Sequence, residues 1–270
     1  MEAAQENTAP KRPRKRLVLV AVLVAALVLA GVCLAGHYSS KAAEKGFSLV
    51  SAGKLTVAMS VDFPPFEQYD DNGNPIGYDV AVVQEVASRL GLECQIVDVP
   101  FSNIVNAVGK GDTYDVGVSA ISINPDRSNT VDFSSPYYIS DQAIVCKKGA
   151  FDKVSQLKKE NVAAQRGSTG YDYATASISD HVLPCASLEA SFAAMEQGSV
   201  SAVVGDAPAA RYLIATRYPQ YSILETVATG EKYSFAVNKG NRALTEAINE
   251  VLDAMIQDGT LEALQKQYGL

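Results

Sequence analysis

The sequence contains no tryptophan, only two histidines (His37 and His181) and only four cysteines among its 270 residues. The cysteines form no CxxC pair and no Cys/His cluster, so the close set of ligands that a structural zinc site requires is missing. No segment has low complexity, and no internal repeat of solenoid period is visible. These absences exclude a zinc-stabilised module and a repeat protein.

The cysteines also give little sign of a disulfide framework. Cys33 lies in an apolar block, which leaves Cys94, Cys146 and Cys185 for the rest of the chain. Because three is an odd number, at most one disulfide can form, even in an oxidising compartment. Each of the three lies in an apolar run, which favours buried free thiols.

Basic residues are scarce outside the first part of the chain. The net charge is −7, and residues 1–36 contain five Lys/Arg and two Glu, so the remainder carries −10. Phosphate contacts need clustered Lys and Arg, so we expect no nucleic-acid partner for this acidic body. Such acidity is typical of a solvated surface.

Residues 17–36 form an apolar block of twenty residues without a charge, LVLVAVLVAALVLAGVCLAG. A helix of this length just spans a bilayer. The basic cluster in residues 1–16 is expected to stay in the cytoplasm and to send the rest of the chain outside. A cleaved signal peptide remains open, and so does lipid attachment at Cys33, although Val32 is larger than the residue that such processing prefers. All three interpretations place the body outside the cytoplasm, at the membrane face or released from it, after a polar linker at residues 37–51.

Strand and helix patterns alternate beyond the linker. Alternating apolar residues predict strands at 54–59, 94–99, 115–118, 162–164, 182–183, 202–204 and 233–237. Helical spacing and capping residues predict helices at 78–90, 102–108, 168–178, from 187 onward, at 208–216 and at 242–256. The β-α-β order restarts after Lys147-Lys148-Gly149, which indicates two α/β units with mainly parallel sheets and a cleft between them.

Arg127 lies just beyond the third predicted strand, with Ser119 and Ser122 nearby as hydroxyl and backbone donors. Ligands of open α/β sheets bind at the carboxyl ends of strands, so this is a place where binding chemistry is expected. A planar guanidinium matches a carboxylate because two parallel hydrogen bonds form at once. From position alone, a surface ion pair with Asp126 or Asp132 is an equally good interpretation.

Asp206 follows the strand at 202–204 and therefore lies at a strand end of the other unit. A carboxylate in this position can pair with an ammonium group. Asp206 also directly precedes Ala207-Pro208, where a helix is predicted to begin, and Pro favours the first turn of a helix. From position alone, a helix cap is the better interpretation.

The loop Gly167-Ser168-Thr169-Gly170 joins a predicted strand to a predicted helix, where free N–H groups bind anions. It has neither the spacing of a Walker loop nor a following Lys, so phosphate is not expected. Position 166 is Arg and no histidine is near, so Ser168 has neither the nucleophile elbow nor a base. A small carboxylate remains a reasonable ligand for this loop.

Two aromatic residues, Phe63 and Phe101, each follow a predicted strand of the first unit. Aromatic side chains in loops cover the flat or apolar part of a ligand in many binding sites. Packing of each ring on its own unit is an equally good interpretation of the sequence.

Several segments between about Leu55 and Gly269 resemble the family-3 solute-binding proteins, the periplasmic amino-acid-binding proteins of polar amino acid ABC transporters. The opening segment LTVAMSVDFPPFEQYDDNGNPIGYDVAVVQEVA and the central segment YDVGVSAISINPDRSNTVDFSSPYY carry the resemblance in the first unit. The segments VAAQRGSTGYDYA and SAVVGDAPAARYL carry it in the second. The closing segment FAVNKGN, with the helix and DGTLEALQKQYG that follow, is also similar.

The resemblance implies a two-lobed periplasmic-binding-protein fold of type II, in which two hinge strands join the lobes and the lobes close on a ligand. Lobe 1 would comprise residues 52–145 and 234–270, and lobe 2 residues 146–233. The family's partners would be a free amino acid and an ABC permease in the membrane. The resemblance implies no cofactor, no metal and no catalytic residue, and we expect a monomer.

The resemblance also implies roles for individual residues. Arg127 would hold the ligand's carboxylate with help from Ser122, Ser168 and Thr169. Asp206 would hold its ammonium group, near the backbone of Ala120 and the side chain of Ser122. Phe63 and Phe101 would enclose the ligand's side chain. Ser60 and Gln165 occupy positions where relatives carry charged residues, so a neutral polar side chain is expected. A basic one stays open if Asp62 or Glu67 points inward.

Two other functions are open on this fold. Cyclohexadienyl dehydratases resemble the same family, but an elimination needs a positioned general acid. We find no carboxylate beyond Asp206 in the loops of the second unit, and no histidine. A membrane-tethered amino-acid sensor is the other alternative, although about sixteen residues before the apolar block are too few for an output domain.

Overall fold

The computed structural model of the protein describes residues 46–270. The predicted basic segment and apolar block, residues 1–36, lie outside the described residues, and so does most of the predicted linker. Within the described part, no helix is long and apolar enough to cross a bilayer.

The described chain alternates strands and helices. The strands are β1 Lys54–Met59, β2 Gln68–Tyr69, β3 Pro75–Ile76, β4 Glu93–Asp98, β5 Val116–Gly117, β6 Val131–Phe133, β7 Tyr138–Lys147, β8 Asn161–Gln165, β9 His181–Cys185, β10 Ala202–Asp206, β11 Tyr221–Tyr233 and β12 Ala236–Asn238. The helices are α1 Tyr78–Leu90, α2 Phe101–Lys110, α3 Pro125–Thr130, α4 Thr169–Tyr173, α5 Leu188–Glu196, α6 Ala207–Thr216, α7 Arg242–Gln257 and α8 Thr260–Tyr268. A 3₁₀ helix at Val154–Lys159 and a π-helical turn at Ala174–Ile178 complete the second unit.

Two five-stranded sheets form the centres of the two lobes. The strand order is β4-β1-β5-β12-β6 in the first sheet and β11-β7-β10-β8-β9 in the second. The strands of the β-α-β repeats run parallel, whereas β12 in the first sheet and β7 in the second run antiparallel to their neighbours. The two-lobed α/β architecture expected from the sequence is therefore present, with sheets that are mixed.

Burial explains why these segments form strands and helices. Strand β1 is buried from its second residue to its last because helices cover both faces of the sheet. Helix α1 turns Val83, Val86 and Leu90 toward the core, and Gly91 ends it in the left-handed conformation with φ of 73°. This helix fixes Asp79, a buried acid, behind the cleft.

Two local predictions were wrong. Ser102 was predicted to cap the second helix, but the N-cap residue is Pro100, two residues earlier, and no side chain caps this helix. The strand predicted at 233–237 is the end of β11 followed by the separate strand β12, which belongs to the other sheet.

The chain crosses between the sheets twice. The first crossing lies between Phe133 and Tyr138 and the second between Tyr233 and Ala236, as judged by strand pairing. All of β7 pairs within the second sheet, so the expected lobe boundary at residues 145/146 falls inside this strand. The exact lobe limits stay a prediction.

The packed body begins before residue 52. Phe47 is buried in the core of the first lobe, and the N–H of Val50 donates to Asp115 at 2.8 Å. The last residues of the predicted linker are therefore part of the fold. The three cysteines of the described part, Cys94, Cys146 and Cys185, are free thiols.

Candidate functional site

A cavity lies between the lobes, lined by residues of both. All eleven residues predicted to bind ligand line it: Ser60, Phe63, Phe101, Ser119, Ala120, Ser122, Arg127, Gln165, Ser168, Thr169 and Asp206. Asp62, Leu188, Val204 and Gly205 complete the lining. The structure thus brings the predicted residues together, while their contacts with a ligand stay a prediction.

Strand ends bring these residues to one place. In the first lobe they follow β1, β4 and β5, and in the second they end β8, follow β8 or end β10. The carboxyl ends of strands of both sheets face the cleft, which is where ligands bind in α/β proteins. The remaining lining residue of the first lobe, Arg127, lies on the short helix α3.

The guanidinium of Arg127 lies in the cleft. Nη1 donates to the carbonyl oxygen of Ser122 at 2.7 Å, and Nη2 donates to that of Gly167 in the other lobe at 2.9 Å. The guanidinium carbon lies 5.5 Å from the centre of the Phe101 ring. Burial lowers the pKa of Arg127, and the negative charges of nearby acids oppose this effect. A surface ion pair does not describe this residue.

Asp206 occupies the N-cap position of α6, but its side chain makes no capping hydrogen bond. Its carboxylate instead accepts hydrogen bonds from Gln142 Nε2 and from the Tyr233 hydroxyl. Burial, and then the negative charge of Glu231, raise the pKa of Asp206 to about 7. Asp206 therefore has the sequence position of a helix cap, but its carboxylate binds Gln142 and Tyr233 at the cleft and does not cap the helix.

The backbone of the first lobe's wall is held from behind by two buried acids. Ser119 Oγ donates to Glu67 at 2.5 Å and accepts from the N–H of Ser60 at 3.1 Å. The N–H of Ala120 donates to Asp79 at 2.6 Å. Ala120 has φ of 48°, a left-handed conformation that costs a residue with a Cβ about 1–2 kcal/mol.

Asp62 and Glu67, the two acids on which the expectation of a basic ligand depends, differ in position. Asp62 lines the cavity and accepts from Ser60 Oγ at 3.0 Å. Burial raises its pKa; the hydrogen bond from Ser60 and a backbone hydrogen bond oppose this, and the negative charges of Asp98 and Glu189 add to it. Glu67 is fully buried behind Ser119 and is not among the lining residues.

Gln165 and Ser168 are partly engaged within the second lobe. Gln165 Nε2 donates to the carbonyl oxygen of Ala186 at 3.4 Å. Ser168 caps α4 by accepting from the N–H of Tyr171 at 3.0 Å, and its hydroxyl donates to the carbonyl oxygen of Gln165 at 2.8 Å. These bonds fix the loop that faces Arg127.

Both aromatic residues line the cavity, and each also packs on its own lobe. Phe63 stacks on Phe66 with ring centres 5.9 Å apart and is only 8% exposed. Phe101 lies beneath the guanidinium of Arg127. Each of these two residues therefore packs on its own lobe and lines the cavity at the same time.

Sequence reasoning missed three residues that reach the site from the hinge strands: Gln142, Glu231 and Tyr233. Glu231 accepts hydrogen bonds from Ser122 Oγ, Thr169 Oγ1 and Gln142 Nε2. Glu231 therefore places a second carboxylate close to Asp206, on strand β11 and not in the loops of the second unit where only Asp206 was found. Gln142 lies on β7, paired directly with Asp206 of β10, and only the register of these two strands reveals the contact.

The profile of the bacterial extracellular solute-binding proteins, family 3, matches residues 55–270. The chain belongs to this family. ABC transporter arginine-binding protein 1 of Escherichia coli (strain K12) is 26% identical over 252 residues, which cover 90% of this chain and 98% of that relative. A crystal structure of a mutant of ArgBP from T. maritima is 34% identical, with a TM-score of 0.76, and covers 80% of this chain and 95% of that one.

An ancestral arginine-binding protein bound to arginine is 32% identical to the chain. Its TM-score is 0.75, and the match covers 80% of this chain and 98% of that one. The resemblance stated from the sequence and the two-lobed periplasmic-binding-protein fold are both confirmed by these comparisons.

Proposed function

We propose that this family-3 solute-binding protein captures one free amino acid between its lobes and delivers it to an ABC permease. The observation that carries the proposal is the position of Arg127 and Asp206 on opposite lobes around one cavity. A guanidinium pairs with a carboxylate and a carboxylate pairs with an ammonium group, so the two side chains match the two charges of an amino acid. A ligand that contacts both lobes binds the closed arrangement more tightly and therefore favours closure.

The lining of the cavity supports a ligand with a basic side chain. Asp62 faces the cavity, and the charges that act on it most, those of Asp98 and Glu189, have its own sign. A guanidinium or ammonium group on the ligand would relieve this unbalanced negative charge. Several relatives are named for basic amino acids, among them ABC transporter arginine-binding protein 1 of Escherichia coli, while another relative is named for L-cystine. We therefore propose a ligand with a basic side chain, instead of the neutral one that was expected from Ser60 and Gln165.

Binding without turnover is part of the proposal. A dehydratase needs a positioned general acid, whereas we assign Asp206 to the ligand's ammonium group, with Gln142 and Tyr233 donating hydrogen bonds to it. The relatives named above are binding proteins. Incubation with prephenate and with arogenate, followed by chromatography, is expected to give no product, and turnover of either compound would make the protein an enzyme.

The family is extracellular, and we propose that residues 17–36 tether this member to the outer face of the membrane. We also propose that the body acts as a monomer. The mass of the mature protein separates a retained anchor from cleavage or lipid attachment, and light scattering of the soluble body gives its oligomeric state.

A thermal-shift screen of the twenty L-amino acids with the soluble body tests the central proposal. A ligand that binds only the folded state raises the melting temperature by mass action. We expect L-arginine or another basic amino acid to give the largest shift, with the dissociation constant then measured by calorimetry. Absence of a shift with all twenty would contradict the proposed function.

A further inference from the structure

Glu231 joins both lobes through a single carboxylate. It lies on β11, and its Oε2 accepts from Ser122 Oγ of the first lobe and, at 2.6 Å, from Thr169 Oγ1 of the second. Its Oε1 accepts from Gln142 Nε2 at 2.9 Å. Three donors from three different elements therefore fix the position of this carboxylate.

These bonds decide what Ser122 and Thr169 can offer to a ligand. A hydroxyl has one hydrogen to donate and two lone pairs to accept with. A carboxylate has no hydrogen, so both hydroxyls must donate to Glu231. Both residues also line the cavity, so their hydroxyls have only lone pairs left for a ligand, and one of those on Thr169 Oγ1 already accepts from Gln142 Nε2 at 3.4 Å.

The polarity of the cleft is therefore divided between two regions. Arg127 provides donors in one region. Asp206, together with the hydroxyl oxygens of Ser122 and Thr169, provides acceptors in the other, and Gln142 ties the region together because its amide donates to Asp206 as well as to Glu231. For Thr169 this differs from the role that family resemblance implies, which is to help Arg127 bind the ligand's carboxylate. For Ser122 the resemblance already places the side chain near the ammonium group as well.

We propose that Glu231 is a specificity-determining residue: by accepting the hydrogen bonds that Ser122 and Thr169 donate, it makes both hydroxyls acceptors for the ammonium group of the ligand. The inference rests on the proposed function, because it requires a ligand that lies between Arg127 and Asp206 and carries an ammonium group. Glu231 acts through its neighbours, since it is not among the lining residues of the cavity.

The test compares two ligands that differ only in the ammonium group. Calorimetry measures L-arginine and its des-amino counterpart, 5-guanidinopentanoate, against the wild type, Glu231→Gln and Glu225→Gln. In that variant the amide oxygen accepts from Gln142, as Oε1 of Glu231 does, which leaves the amide NH₂ facing Ser122 and Thr169. Both hydroxyls then accept from it and turn their own protons toward the cavity. We expect Glu231→Gln to lower the ratio of the affinity for arginine to that for 5-guanidinopentanoate by about tenfold or more. Where the screen selects another amino acid, that acid and its des-amino counterpart replace the pair.

Glu225 is the matched control because it lies on the same strand and is exposed. Glu225→Gln is expected to leave both affinities unchanged. An unchanged ratio in Glu231→Gln, or an equal loss of both ligands, would overturn the inference while leaving the proposed function intact. Failure of the wild type to bind any of the twenty amino acids would overturn the proposed function and the inference together.

Discussion

Glu67 and Asp79 place two fully buried carboxyl groups in contact directly behind the wall of the cleft. One oxygen of Glu67 accepts from Ser119, and one oxygen of Asp79 accepts from the N–H of Ala120. The other two oxygens, Oε2 of Glu67 and Oδ1 of Asp79, receive no donor from any other described residue. Two acids in contact are satisfied only when one carries a proton, and burial and the charge of Asp79 raise the pKa of Glu67 well above its ordinary value. We therefore assign the proton to Glu67.

Replacement of Glu67 by Gln is expected to remove a dependence of stability on pH. The folded-state pKa of Glu67 is raised above its ordinary 4.5, so the stability that the protonated acid contributes is complete below that pH and is lost as the pH rises toward the folded-state pKa. Gln has the same shape and cannot ionise. Between about pH 5 and about pH 8, the free energy of unfolding of the wild type should fall relative to that of Glu67→Gln, by at most about 1.4 kcal/mol per pH unit.

Urea unfolding at a series of pH values measures this difference. Glu225→Gln, on an exposed residue, should give a pH profile parallel to that of the wild type. If the profile of Glu67→Gln also ran parallel to the wild type over the same range, Glu67 would not hold the shared proton.

Arg127→Lys is expected to weaken amino-acid binding by about a hundredfold, although the charge is kept. The planar guanidinium directs several N–H groups at once and stacks on Phe101, whereas an ammonium group does neither as well. Calorimetry with the amino acid selected by the screen measures the loss. Arg242→Lys is the control, because Arg242 is exposed at the start of α7. Equal affinities of wild type and Arg127→Lys would remove Arg127 from the site.

The parts of the site that sequence reasoning reached are those at the ends of regular β-α-β units. Arg127 and Asp206 each follow a strand with a clear apolar pattern, and parallel strands bring their carboxyl ends to the same edge. Glu231 was missed because β11 pairs with β7 through two irregularities, one of them between Val227 and Glu231. A shift of register moves side chains to the other face, so simple alternation cannot say where Glu231 points.

Glu67 and Asp79 were missed as a pair for a different reason. Acids are almost never fully buried unless they have partners, so their sequence positions suggest exposure. Burial of both is a tertiary property that arises when α1 and the loop after β1 pack behind Ser119 and Ala120. From the sequence, a basic ligand could be expected only if Asp62 or Glu67 points into the cavity. The structure was needed to show that Asp62 lines the cavity and that Glu67 lies buried behind it.

Asp62→Asn is expected to change the choice of ligand more than the strength of binding in general. The substitution removes the negative charge that faces the cavity and keeps a similar shape. Affinity for L-arginine should fall by about tenfold or more, because hydrogen bonds to charged groups contribute roughly 1.5–3 kcal/mol, while affinity for L-glutamine should change little. Calorimetry with both ligands measures the change.

Asp71→Asn is the matched control for Asp62→Asn, since Asp71 is exposed in the turn between β2 and β3. It should leave both affinities as they are. A parallel loss of arginine and glutamine in Asp62→Asn would instead assign Asp62 to the ligand backbone or to the fold.

Gly77→Ala is expected to destabilise the protein strongly, because the backbone leaves no room for a methyl group. Gly77 has φ of 133°, and a Cβ at this position would lie 2.1 Å from the carbonyl oxygen of Phe66. That conformation is essentially restricted to glycine, and the overlap involves main-chain atoms that cannot turn away. The free energy of unfolding should fall by more than about 3 kcal/mol in urea titrations, since strain and a steric clash combine.

Gly73→Ala separates the clash from the backbone conformation. Gly73 also has a positive φ, 79°, but a Cβ there would meet nothing within 4 Å. Its substitution should cost only the left-handed conformation, about 1–2 kcal/mol. If Gly77→Ala cost no more than Gly73→Ala, the loop that carries Phe66 must yield to the added methyl group. The position of Asp79, two residues after Gly77, would then not depend on the close contact between Gly77 and Phe66.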